Sequence, residues 1–558
     1  MTDWSNTALL SIPTVLREQV VRTPAKTALV LNGESISYQA LLERSVAAAR
    51  GLQELGVGFG DSVGVLSPNT PEMIYTWIGA SMLGAVYVPV NVEYKGTFLI
   101  HQWTTAAVGV AVVDSSCIPE VAAVATRLPD LKHVVVVNRG TDRVDLGRAD
   151  LQVHDSAELM TPARFDGDLT AVPGVADPPG DAIAAVIFTA GTTGPSKGVA
   201  MSHNYMVRSA RQVFDLRGCT QDSVVYGALP LFHLAAISVV VLGPILAGAT
   251  AVLDARFSPN NFWSRVRETG ADQTILLGAM STMLWNRPED PGDADNPLKV
   301  ALIAPMPPAL HRQFEQRFGL TVLQMYAQSE VYPLTVASAH DPAPPGYSGR
   351  PNPLLTVRLF DENDNEVPPG QVGEVCVRPN QPHVMFEGYF KNPEATAATW
   401  RNLWMHTGDL GRFNEEGFFE FVDRKKDYLR RRGENISSFE VEHAVMQFEG
   451  VAEVAVVAAP SELTEDDVIA CVVPVPGVSI DPVALMDHCV AEIPYFAIPR
   501  YLWILDELPR NPVGRVEKYK LRERFALRQG VDGLWDREAA GFVIERRTFT
   551  PAKVGGGS

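Results

Sequence analysis

The segment Thr189-Ala-Gly-Thr-Thr-Gly-Pro-Ser-Lys-Gly198 brings three glycines, two adjacent threonines, a serine and a lysine into ten residues. Glycines let a backbone wrap closely around a bound group. Hydroxyls and exposed amides donate to phosphate oxygens, and an ammonium neutralises them. The spacing Gly-x-x-x-x-Gly-Lys-Ser/Thr is not met, so this is not a Walker A loop. A plain surface turn is the competing reading. The composition disfavours it, as does a position directly between the apolar strand 182–188 and a helix capped near Ser202.

Three further clusters carry chemistry. Tyr326-Ala-Gln-Ser-Glu330 follows an apolar strand over 321–325. There an aromatic ring can cover a flat base, and a carboxylate a few residues on can hold Mg²⁺. Trp404-Met-His-Thr-Gly-Asp409, with Asp423-Arg424 beyond it, offers an Asp that can accept from both ribose hydroxyls and an Arg that can support it. Taken alone, an Asx-bonded turn explains that segment as well. Arg424, Lys425, Lys426, Arg430, Arg431 and Arg432 form a basic run that suits a polyanionic ligand, although most such runs are solvated faces.

The elements that must position these residues follow from periodicity. Residues 15–57 read as helix, hairpin and helix, with a turn at Asn32-Gly33. A strand over 63–66, a helix over 72–83 and a strand over 85–90 follow, and Gly84 ends the helix. That helix–Gly–strand unit, SMLGAVYVPV, is echoed by ILAGATAVLD at 245–254, which suggests two related α/β halves. Strand and helix patterns alternate to about Met325, the signature of parallel sheets covered on both faces. Residues 351–377 read as a compact β unit. Beyond residue 439 the pattern is helix (439–448), strand (452–458), strand (468–474), helix (481–491) and strand (501–505), a small α+β domain. Residues 546–558 read as a loose tail.

Composition bounds the function. The chain has 558 residues, 46% hydrophobic and 20% charged, which excludes a disordered or collagen-like chain. With 47 basic and 65 acidic residues the net charge is −18, so a broad nucleic-acid-binding face is not expected. The five cysteines form no Cys-x-x-Cys pair, and neither a disulfide framework nor a zinc cluster is indicated. The first twenty residues lack a basic region followed by an apolar core, so a cytoplasmic location is expected. Residues 234–253 are uncharged and long enough to cross a bilayer. Gly243-Pro244 in their middle favours a buried helix followed by a buried strand.

Together, in this order, the four clusters resemble the adenylate-forming superfamily of acyl- and aryl-CoA synthetases, peptide-synthetase adenylation domains and beetle luciferases. The resemblance covers about residues 15–525. Thr189–Gly198 is similar to the family's Thr-Ser-Gly-Thr-Thr-Gly-x-x-Lys-Gly, with Ala190 for Ser. Leu229-Pro-Leu-Phe-His233 resembles Leu-Pro-x-x-His. Tyr326–Glu330 resembles Tyr-Gly-x-Thr-Glu, with Ala327 for Gly and Ser329 for Thr. His406-Thr-Gly-Asp409 matches fully, and Arg432–Glu440 is most like the carnitine/crotonobetaine-type ligases.

The resemblance implies an α/β fold: a large N-terminal domain of two related α/β subdomains plus a β subdomain, then a small mobile α+β lid. The implied limits are 1–422 for the adenylating domain, 423–427 for a hinge at Lys426, and 428–545 for the lid. It implies an AMP-forming acid ligase that uses ATP and Mg²⁺, with CoA as the thiol acceptor. ATP would lie against Thr189, Gly191, Thr192, Thr193, Gly194, Lys197, Tyr326, Ser329, Asp409 and Arg424, with Glu330 holding Mg²⁺. The acid would lie among His233, Gly278, Ala279, Met280, Ala304, Pro305, Met325 and Ala327, mostly small or apolar, which suits a modest acyl or aryl group. Arg432, Gly433 and Glu434 would line the thiol tunnel. Thr193, His233, Glu330, Arg515 and Lys518 would take part in catalysis.

The sequence departs from the family at Arg515, where a lysine is usual. Arginine keeps the charge but differs in reach and geometry. Two other functions stay open on these residues: adenylation of an unusual acid such as nitrite, with an amine acceptor and N–N bond formation, and a catalytically silent sensor of nucleotide or acyl-adenylate. The retained Thr192, Thr193, Lys197, Glu330 and Asp409 speak against the sensor. Monomer and homodimer are both open.

Overall fold

The computed structural model describes residues 8–140, 144–165, 169–189, 195–424, 429–431, 434–461, 466–510, 516–527 and 532–544. Continuous apolar runs form two sheets of mainly parallel strands. All five residues of Ser62–Leu66 are buried, as expected of a strand covered on both faces. Its eight-stranded sheet runs, in spatial order, through Gly388–Tyr389, Lys197–Ser202, Ile183–Thr189, Val86–Pro89, Ser62–Leu66, Val108–Asp114, His133–Val137 and Gln152–Asp155. The seven-stranded sheet runs through Thr321–Leu323, Val300–Ala304, Gln273–Leu277, Val224–Gly227, Thr250–Leu253, Thr27–Leu31 and Glu34–Ser37. The N-terminal hairpin thus completes the second sheet, so the two α/β halves interlock.

The echoed unit is real at the level of local geometry. The Pro71–Met82 helix and the Gly243–Ala247 helix each end close to a left-handed glycine, Gly84 (φ 66°) and Gly248 (φ 77°), before a buried parallel strand. The apolar run 234–253 is a π-helical segment Ala236–Leu242, that short helix and the Thr250–Leu253 strand. Among the described residues no helix is long and apolar enough to cross a membrane.

One expectation is corrected. The segment after Thr189 does not lead straight into a helix. Thr189 pairs with Lys197 across an antiparallel ladder, and the Lys197–Ser202 strand intervenes before the His203–Leu216 helix, whose N-cap is Ser202. The cap at Ser202 is as expected, but the apolar stretch 199–201 between the loop and that cap is too short for periodicity to mark it as a strand.

The β unit is a five-stranded antiparallel sheet built on Leu355–Phe360, Gly373–Pro379 and Trp404–Phe413. Its Phe419–Arg424 strand pairs Arg424 with Asp409, so regular pairing reaches into the segment expected as a hinge. One core cluster runs from Ile12 to Phe419 and joins residues of both parallel sheets and the β unit. The last four-stranded sheet, Val451–Pro460, Asp466–Pro474, Tyr501–Ile504 and Leu534–Asp536, has its own core. Phe98 of the N-terminal part enters that core, and Lys95 Nζ donates to the Val490 carbonyl beside it.

Candidate active site

Parallel strands end on one edge, and ligands of open α/β sheets bind at that carboxyl edge. The residues expected to line an acid pocket lie there. In the second sheet Leu277 is paired with Ala304, placing Gly278 and Pro305 side by side at the two strand ends. A Cβ on Gly278 would stand 2.6 Å from the Pro305 carbonyl oxygen, so only glycine fits without displacing backbone. Ala279 and Met280 continue into the Gly278–Trp285 helix, and Met325 and Ala327 follow the neighbouring Thr321–Leu323 strand. His233 lies on the loop after the Val224–Gly227 strand of the same sheet.

Asp409 is 1% exposed and its carboxylate is fixed from two sides. The Tyr326 hydroxyl donates to Oδ2 at 2.7 Å, and the Gln328 amide donates to the same oxygen at 2.8 Å. Gln328 also donates to the Thr407 carbonyl at 3.1 Å. The Tyr326 ring packs against Phe419, centroids 5.0 Å apart. Tyr326–Glu330 and His406–Asp409, 83 residues apart at the Tyr326–Asp409 bond, are thus one structure.

Glu330 sits at the other end of this segment. Burial pushes its carboxyl up, while the Tyr389 hydroxyl, donating to Oε1 at 2.7 Å, and the nearby Lys197 charge pull it back. Lys197 Nζ lies 4.8 Å from the centre of the Tyr389 ring, a cation–π distance. Tyr389 therefore joins Lys197, at the end of the Gly- and Thr-rich segment, to the carboxylate. The backbone of Ser329 accepts from the buried Tyr205 hydroxyl at 2.9 Å.

The last domain contributes two carboxylates. Glu434 Oε1 lies 3.1 Å from His233 Nε2, and Glu440 Oε1 accepts from the Ser196 amide at 3.0 Å. Burial raises the Glu440 carboxyl, and the bond from Ser196 opposes that. Lys518 Nζ is bonded within its own domain, to Ser438 Oγ at 2.8 Å and Glu442 Oε1 at 2.7 Å. Arg431, one of the basic run, is 4% exposed and paired with Asp467 at 2.8 Å, so it serves the domain core and not a polyanion. Gly191, Thr192, Thr193, Gly194, Lys426, Arg432, Gly433, Arg515 and the side chain of Arg424 lie outside what the structure describes.

Three residues here were not singled out from sequence. Gln328 and Glu440 lie inside segments read as motifs, but their bonds to Asp409 and Ser196 depend on the fold. Tyr389 carried no signal, since it reaches the site through an antiparallel pair, Tyr389 with Val199, made by strands distant in sequence.

Comparison with known proteins shows the family. Residues 16–390 match the family model of AMP-binding enzymes, and residues 440–515 match the model of their C-terminal domain. The chain is an AMP-binding enzyme. The feruloyl-CoA synthase of an Amycolatopsis species is 30% identical to it over 507 residues, 90% of this chain and 96% of the relative. The crotonobetaine/carnitine–CoA ligase of Salmonella paratyphi A is 28% identical over 516 residues, 89% and 96% of the two chains. The fold is that of the amide bond synthetase McbA of Marinactinospora thermotolerans, with a TM-score of 0.77 at 24% identity over 92% of this AMP-binding enzyme and all of that chain. It is thus an adenylate-forming enzyme of the acyl-CoA ligase family.

Proposed function

We propose that this enzyme joins a modest acyl or aryl carboxylic acid to CoA through an acyl-adenylate. The observation that carries the reading is the linked set Lys197–Tyr389–Glu330 and Gln328–Asp409–Tyr326, beside the small, apolar carboxyl edge of the second sheet. One end of that set offers a cation and a hydroxyl-bonded carboxylate, fit for a triphosphate and its metal. The other offers a carboxylate held by two donors, fit for a ribose diol.

The chemistry follows from charge. An acid oxygen attacks the α-phosphorus of ATP, the bond to the bridging oxygen breaks, and pyrophosphate departs. Both reactants are anions, so fixed donors and cations supply most of the acceleration. Lys197, with Thr192 and Thr193, takes the phosphate oxygens. Asp409 accepts from the ribose hydroxyls and sets the position of the α-phosphate. Glu330 is a hard oxygen donor and fits Mg²⁺, an ion usually held by one or two carboxylates plus the substrate's phosphates. When bound it would neutralise the leaving pyrophosphate. Arg515 brings a permanent cation to the acid and the α-phosphate when the lid, pivoting at Lys426, turns that face inward. In the second step the thiol attacks the acyl carbon, AMP leaves, and the thiol proton passes to solvent.

The arrangement described above suits the second step. Glu434 and Glu440 reach His233 and Ser196, while Lys518 faces its own domain. Two relatives named for CoA ligation, at 30% and 28% identity over most of both chains, support CoA as the acceptor. The test is AMP release across a panel of aromatic, short-chain and branched acids, nitrite included, with and without CoA. We expect multiple turnovers with an organic acid only when CoA is present. Turnover with nitrite and an amine but with no organic acid would replace this reading by the N–N-forming one.

A further inference from the structure

We propose that Glu374, Cys376 and His406 form a binding site for one thiophilic divalent cation of the Zn²⁺ class, apart from the nucleotide site. Cys376 and His406 are direct partners in the ladder between the Gly373–Pro379 and Trp404–Phe413 strands. Glu374, two residues before Cys376, shares its face of the sheet. His406 Nδ1 lies 3.0 Å from Glu374 Oε2 and 3.2 Å from Cys376 Sγ. The Glu374 and His406 side chains are 7% and 10% exposed, and Cys376 is fully buried.

The geometry points to a cation because one nitrogen is asked for too much. Besides the carboxylate and the thiol, Arg401 NH2 approaches Nδ1 at 3.4 Å. A ring nitrogen has either one hydrogen or one lone pair, so it can serve one of the three. A metal ion accepts from nitrogen, sulfur and oxygen together. Thiolate, imidazole and carboxylate are the ligand set of Zn²⁺. Donors on a tetrahedral ion stand roughly 3.3–3.7 Å apart for bonds of about 2.0–2.3 Å. The two separations from Nδ1 need only a few tenths of an ångström of opening, and all three ligand atoms lie within 4.8 Å of one another.

The surroundings allow entry and leave a place unfilled. Arg401, whose side chain is 51% exposed, lies against His406 and is also bonded to Asp364. Its displacement would open the fourth position to water. On the inner side His406 Nε2 is buried and, among the described residues, has no hydrogen-bond partner. Binding releases the thiol proton to solvent and forms a metal–sulfur bond, with no change in oxidation state. Cys-x-x-Cys spacing could not reveal this site, since its ligands come from two strands 30 residues apart at the Cys376–His406 contact.

The test uses the full chain, free of any histidine tag, stripped with chelator and titrated with Co²⁺. We expect one equivalent to bind with a thiolate-to-cobalt charge-transfer band and tetrahedral d–d bands, displaced by Zn²⁺ and not by Mg²⁺. Cys376→Ser should abolish the charge-transfer band, and Glu374→Gln should weaken binding at least about 10-fold. Cys219→Ser, at the half-buried cysteine outside the cluster, should leave the spectrum unchanged. If Cys376→Ser does not fold, Glu374→Gln carries the test alone. Absence of a thiolate band in the parent, or its persistence in Cys376→Ser, overturns the proposal and leaves the triad a neutral hydrogen-bonded network.

Discussion

Lys197 is held over the Tyr389 ring, and Tyr389 is bonded in turn to the buried Glu330. A cation kept at the end of the loop by an aromatic face needs little reorganisation when phosphates arrive. Lys197→Ala should therefore cut adenylate formation by about 10²-fold or more, the scale of one lost transition-state donor. Its far-UV spectrum and melting temperature should match the parent, and undiminished ATP turnover would remove the lysine from the phosphate site. Gln328 acts differently, through Asp409. Without its amide the carboxylate loses one of the two donors described for Oδ2, the other being the Tyr326 hydroxyl. A hydrogen bond to a charged group contributes about 1.5–3 kcal/mol. Gln328→Ala should raise the KM for ATP by about 10-fold with a smaller change in kcat, whereas a fall confined to kcat would contradict a positioning role.

Strand ends and helix starts govern the next scale. Gly278 begins a helix where a side chain would meet the Pro305 carbonyl oxygen. Gly278→Ala must shift the backbone at two adjacent strand ends and so narrow the proposed acid pocket. The KM for the preferred acid should rise about 10-fold or more, the KM for ATP should hold, and smaller acids should suffer least. Uniform loss across acids of all sizes would mean that Gly278 does not line the pocket. A second helix start bears on acid stability. His203 opens the His203–Leu216 helix, fully buried, and burial lowers its pKa from 6.5 to about 4 against a weaker opposing pull from Asp177. Below pH 6.5 the unfolded chain takes up a proton that the folded one refuses, so stability falls between pH 6.5 and 4 and is unaffected above. At pH 5 this group costs about 2 kcal/mol. Urea unfolding at pH 7 and pH 5 should show His203→Gln losing less stability than the parent on acidification, and equal losses would refute it.

At the scale of the whole molecule, much was readable because chemistry and periodicity agreed. The hairpin at Asn32-Gly33, both helix–Gly–strand units and the helix–strand–strand–helix–strand order after residue 439 follow from local signals, as observed. What was not readable depended on pairing over distance. The Lys197–Ser202 strand is fixed by its ladder with Ile183–Thr189, Tyr389 by its pair with Val199, and the interlocked sheets by the Thr27–Leu31 strand lying beside Thr250–Leu253. The Lys518–Ala526 helix was missed for a related reason: only Leu521 and Phe525 of it are buried, against a sheet whose position local periodicity does not reveal.

In the proposed reaction the two half-reactions meet at that same scale, with one lid serving both. The most direct measurement of the account is acid-dependent exchange of labelled pyrophosphate into ATP with CoA omitted. The exchange reports reversible adenylate formation alone. We predict that an aromatic or short-chain acid supports exchange in the parent, that Asp409→Ala and Arg515→Ala each lower it by at least about 10²-fold, and that Arg515→Ala still converts a pre-made acyl-adenylate to the thioester. Exchange that no acid supports, or ATP consumed to ADP instead of AMP, would contradict the account.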